Sequence, residues 1–80
     1  MEKKEVQQRV KQVVSRVLKM DMGEIKDEAN FIFDLGADSM QSLEMIAGFE
    51  EEFNIEMDQE KALEVQTIDG AVDFITAQMN

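Results

Sequence analysis

The chain has 80 residues, a net charge of −10, and neither Cys nor His. Disulfides and thiolate metal clusters are therefore excluded, and the usual general base and every Ser-His or Cys-His nucleophile pair are missing, so no catalytic residue and no resident metal are expected. No apolar run reaches the length of a membrane span and no signal peptide opens the sequence, so the expectation is a monomeric cytoplasmic protein with no membrane partner, forming one domain over residues 1–80.

In chain order, Val6, Val10, Val13, Val14 and Val17 recur on one helical face, with Lys3, Lys4, Arg9, Lys11 and Arg16 at other positions. This spacing predicts a helix over about 3–18, ending near Lys19 and before Gly23. Valine is a modest helix former, so the prediction rests on period rather than propensity. Residues 19–37 lack a clean period. Ile25, Phe31, Ile32, Phe33 and Leu35 are apolar, and Gly23 and Gly36 punctuate the stretch. It reads as a long structured loop pinned to the core by those side chains; loops of such length in small domains tend to be functional.

A second helix is expected from Asp38 as N-cap to Phe53, with Gln41 placed to complete a capping box. It carries two apolar stripes: Met45, Phe49 and Phe53 on one side, Met40, Leu43 and Ala47 on another. At about 100° per residue, Met40 lies about 140° from Met45. One stripe faces the core, and the other forms an exposed patch rimmed by Glu44, Glu50 and Glu51, as on a docking surface. The alternative is a helix buried on two sides. After a connection at 54–57, Asp58 can cap a short helix through about Val65. Thr67 can cap a last helix carrying Ile68, Ala71, Val72, Ile75 and Met79, weakened by roughly 1 kcal/mol at Gly70. The fold class is all-α: a four-helix bundle of three longer helices and one short helix, with a long first loop.

Charge is unevenly placed. Residues 1–30 hold seven basic and six acidic groups; residues 31–80 hold one basic group, Lys61, and twelve acidic ones. The acidic part repels nucleic acid and anionic membranes and attracts basic protein surfaces, unless it serves only as a solvated face.

The block Asp34-Leu35-Gly36-Ala37-Asp38-Ser39-Met40 carries the remaining chemistry. Ser39 falls at the first position of a helix, directly after the loop, where its hydroxyl is expected to be exposed. A phosphodiester there would meet free backbone N–H groups at the positive end of the helix dipole. No His or Cys can take the Ser39 proton. A separate enzyme with a divalent cation must supply the base, and Asp34 and Asp38 could help hold that cation during transfer. By spacing alone, Asp-Ser at a helix start is also an ordinary capping pair.

The stretch Phe31 to Phe53, F-I-F-D-L-G-A-D-S-M-Q-S-L-E-M-I-A-G-F-E-E-E-F, resembles the phosphopantetheine attachment region of acyl carrier proteins. Asn54 to Asp58 is similar to that family's acidic connection and Val65 to Ile75 to its last helix, so the resemblance covers about residues 5–78. It implies a four-helix acyl-carrier-type bundle that is not an enzyme. Ser39 would receive 4′-phosphopantetheine from coenzyme A through a phosphopantetheinyl transferase, and the arm's thiol would hold acyl groups as thioesters. Delivery would be to acyl-transferring or synthase enzymes with basic docking patches, in fatty acid or related lipid or polyketide synthesis. The resemblance places Asp38, Met40, Leu43, Glu44, Ala47, Glu50 and Glu51 on the partner-binding surface. In the family an acyl chain can retreat into the bundle; here Phe31, Met45, Ile46, Phe49, Ala62 and Leu63 either line such a space or pack as a plain core. Met40 replaces the usual Leu, Gln41 a frequent acid, and Gly48 an Ala or larger residue. These departures leave a dedicated, specialised carrier open beside general fatty acid synthesis.

Two other functions compete. One is a non-carrier acidic helical module that docks a basic partner. The other is a calcium sensor, but a twelve-residue loop from Asp34 ends on Met45, and one from Asp21 puts Lys26 and Ile32 where Gly and Glu are required.

Overall fold

The computed structural model describes residues 2–79. Four α-helices follow in order: α1 Lys3–Leu18, α2 Ser39–Phe53, α3 Gln59–Glu64 and α4 Ile68–Met79, with a single 3-10 turn at Met22–Glu24. The described residues contain no strand, and the expected all-α bundle of three longer helices and one short one is what forms.

The valine face of α1 organises the core. Val6, Val10, Val13 and Val14 are fully buried, and α1 packs against both α2 and α4. Each buried valine removes enough apolar surface to contribute about 1.5–3 kcal/mol, which outweighs its weak helix propensity. Opposite it stand Met45, Phe49 and Phe53 of α2 and Ile68, Ala71, Val72 and Ile75 of α4. Lys19 closes α1 in the left-handed conformation (φ 55°), donating its N–H to the Ser15 carbonyl.

The long loop is tied down at both ends. Ile25, Ala29, Phe31 and Ala37 are buried. Phe31 N–H donates to Gln66 O at 2.9 Å, and Ile68 N–H donates to Ala29 O at 3.0 Å, so the loop is stitched to the start of α4. Asp27 pairs with Lys11 on α1, and the Lys11 ammonium, donating a hydrogen bond, holds the Asp27 carboxyl below its ordinary range. Two of the loop's expected core anchors are corrected. Ile32 is 59% exposed and Phe33 88% exposed. Between Asn30 and Leu35 the chain closes a tight turn, which buries Phe31 and turns the next two side chains outward.

Candidate functional site

Asp38 caps α2 as its spacing to Gln41 predicts. Asp38 Oδ1 accepts the Gln41 N–H at 2.8 Å, Gln41 Oε1 accepts the Asp38 N–H at 3.1 Å, and the Ser42 hydroxyl donates to Asp38 O at 3.0 Å. Ser39 is therefore the first helical residue, and it is exposed. Gly36, at φ +74°, takes a backbone conformation few other residues adopt without strain, and it turns the loop toward the cap. The capping box satisfies the amides of Asp38 and Gln41. Those of Ser39 and Met40, in the first turn, have no intrahelical acceptor, and with the helix dipole they suit an esterified phosphate on the neighbouring hydroxyl.

Asp34 and Asp38 are both exposed, but each carboxylate already serves the backbone. Asp34 Oδ2 accepts the Asn30 N–H at 2.7 Å, as Asp38 accepts that of Gln41. Among the described residues no group of three or more potential ligands is arranged to hold a metal ion.

The outer stripe of α2 lies open. Met40 is 71% exposed, and Leu43, Glu44, Ala47 and Glu51 are also exposed, while Met45, Ile46, Gly48, Phe49 and Phe53 are buried. Glu44 and Glu51 form no ion pair among the described residues; Glu52, by contrast, meets Arg9 of α1 at 3.5 Å. Glu50 stands apart from the other rim acids. It is half-buried, and its Oε2 accepts the Met57 N–H at 2.9 Å, bridging α2 to the connection before α3.

Behind this surface a cleft of about 330 Å³ opens. Phe31, Met45, Ile46, Phe49, Ala62 and Leu63 all border it. Sequence reasoning missed other parts of its wall: Ser42 on α2, Phe74 on α4, Met57, and the outward-turned Ile32 and Phe33. The Asn30/Asp34 pair was the available signal, since Asn and Asp favour turns that fold side chain onto backbone.

No helix among the described residues is long and apolar enough to cross a membrane. The model of one known family, described as the phosphopantetheine attachment site, matches residues 8–75. That span includes α2, the cap, the loop before it and most of α1 and α4. The chain thus belongs to the phosphopantetheine attachment-site family of acyl-carrier-type domains, which hold 4′-phosphopantetheine by a covalent bond and do no catalysis of their own.

Proposed function

We propose that Ser39 Oγ is the attachment atom and that this chain carries acyl groups as thioesters on the arm. The exposed Ser39 at the capped start of α2, inside Leu35-Gly36-Ala37-Asp38-Ser39, is the observation that supports this reading. In the loading step Ser39 Oγ attacks the pantetheine-side phosphorus of coenzyme A. The pyrophosphate P–O bond breaks and adenosine 3′,5′-bisphosphate leaves. The serine proton passes to a base of the phosphopantetheinyl transferase, because this chain has no His or Cys to receive it.

Asp38, Met40, Leu43, Glu44, Ala47 and Glu51 form the surface on which basic partner enzymes dock. Glu50 contributes charge there while bracing the α2–α3 connection. The partners are the transferase and acyl-transferring or synthase enzymes of fatty acid, lipid or polyketide synthesis. The cleft bounded by Phe31, Met45, Ile46, Phe49, Ala62 and Leu63 shelters the acyl chain, and its apolar lining supports that role. The setting is cytoplasmic and the carrier monomeric. A chain with strong like charge resists self-association.

Incubation with coenzyme A, Mg²⁺ and a broad-specificity phosphopantetheinyl transferase should add one arm's mass, and Ser39→Ala should abolish the gain. Wild-type protein that stays unmodified with several such transferases, yet binds basic partners equally well as Ser39→Ala, would instead establish a non-carrier docking module.

A further inference from the structure

Phe33 is the most exposed large apolar side chain among the described residues, at 88%. Packing gives it no role in the fold: the aromatic ring that anchors this loop belongs to Phe31, two residues earlier, which is buried. The backbone under Phe33 is nonetheless fixed. Asn30 Oδ1 accepts the N–H groups of both Ile32 and Phe33 at 2.9 Å, and Asp34 Oδ2 accepts the Asn30 N–H at 2.7 Å. The turn thus holds the ring outward on an ordered tip, so little loop entropy is lost when something covers it. Exposed aromatic residues on ordered backbone are the usual anchors of protein interfaces. Ile32 and Leu63, also exposed, share the cleft wall with Phe33, and the exposed acids Asp34 and Asp38 follow in the same loop.

We propose that Phe33 is an anchor for the enzyme that modifies Ser39, seated in an apolar socket rimmed by Lys or Arg. The proposal rests on the Ser39 reading. An enzyme that makes a bond to Ser39 Oγ must bring its catalytic groups within hydrogen-bond reach of that oxygen. Its share of an ordinary interface covers about 800 Å². Ser42, one helical turn beyond Ser39, lines the same cleft as Phe33, so such a footprint extends to the ring. Enzymes that act on the far end of the arm can dock on the α2 surface alone, because the arm carries its thiol away from Ser39, and need not touch the loop. The acidic residues beside Phe33 fit a basic rim, and they oppose a second copy of this chain, which carries the same −10 charge.

The test is steady-state modification of the purified chain by a broad-specificity phosphopantetheinyl transferase with coenzyme A and Mg²⁺. Wild type is compared with Phe33→Ala, Phe33→Leu and Met22→Ala; Met22 is an exposed methionine outside the cleft wall. Phe33→Ala should raise the KM for the carrier about tenfold with kcat within about twofold, the size expected of one interface anchor. Its melting temperature should not move, because the ring is exposed. Phe33→Leu should retain most of the wild-type affinity and Met22→Ala all of it. An unchanged KM for Phe33→Ala, an equal loss in Met22→Ala, or a wild-type dimer that Phe33→Ala dissociates would each overturn the assignment. Wild type modified normally while Phe33→Ala keeps its KM defeats this inference alone. Wild type that accepts no arm defeats the Ser39 reading as well.

Discussion

Gly48 of α2 and Val13 of α1 meet where the two helices pack: a methyl group on Gly48 would lie 2.7 Å from Val13 Cγ1. Val13 is fully buried, and a β-branched side chain in a helix has essentially one rotamer, so it cannot swing aside. Gly48→Ala gains about 1 kcal/mol of helix propensity but overpacks a filled crossing, at a cost of about 1–3 kcal/mol. The net expectation is destabilisation by about 1 kcal/mol, read from urea unfolding. In a Val13→Ala background the same change should become neutral or stabilising. Equal effects in both backgrounds would show that the crossing does not require glycine.

Among the described residues, the two non-glycine residues in the left-handed region end helices, Lys19 after α1 and Asn54 after α2. Both residues donate their backbone N–H to a helix carbonyl, but lysine lacks the short polar side chain that lets Asn tolerate this conformation. Lys19→Gly should therefore raise stability by about 0.5–1 kcal/mol, and Asn54→Gly by less. Differential scanning calorimetry on the pair decides this; a larger gain at position 54 would contradict it.

The parts of the fold that depend on neighbours in sequence were readable without coordinates. Asp38 and Gln41 stand three apart and make the capping box that their types favour, so the start of α2 and the position of Ser39 followed directly. The valine period gave α1 the same way. The loop was less legible because its form depends on distant partners. Phe31 is drawn inward by Gln66 and the α4 start, and the Asn30–Asp34 turn then forces Ile32 and Phe33 outward. Apolarity alone assigns all three to the core. Gly48 was visible as an odd residue in a helix, but its reason, Val13, lies on another element.

Asp27 connects the loop to α1 through Lys11, and that hydrogen bond lowers its pKa. A lowered folded pKa means that the pairing stabilises the fold above the ordinary carboxylate range and is lost as pH falls through the folded value. Asp27→Asn should thus be less stable than wild type near neutral pH, with the gap closing in acid. Protonation of the many other carboxylates relieves self-repulsion in both proteins alike, so the difference between them isolates Asp27. Thermal unfolding of the two across pH 2–7 tests this; a gap that widens in acid would reverse the assignment.

Salt should affect binding and folding in opposite directions. Association with a basic partner should weaken as salt rises, while the isolated chain, relieved of its own repulsion, should melt higher. Glu44 and Glu50 separate the two effects. Glu44 is exposed and forms no ion pair among the described residues, so Glu44→Lys should slow association, most of all at low salt, and leave the melting temperature unchanged or slightly raised. Glu50 holds the Met57 N–H at 2.9 Å in a half-buried setting. Glu50→Lys should slow association too, and it should also lose a charge-assisted hydrogen bond worth about 1.5–3 kcal/mol before solvent screening, lowering the melting temperature. Stopped-flow association with the transferase at low and high salt, paired with thermal melts, measures both. If the two reversals behave alike in the melts, Glu50 does not brace the α2–α3 connection, and its place in the docking surface would be that of an ordinary rim charge.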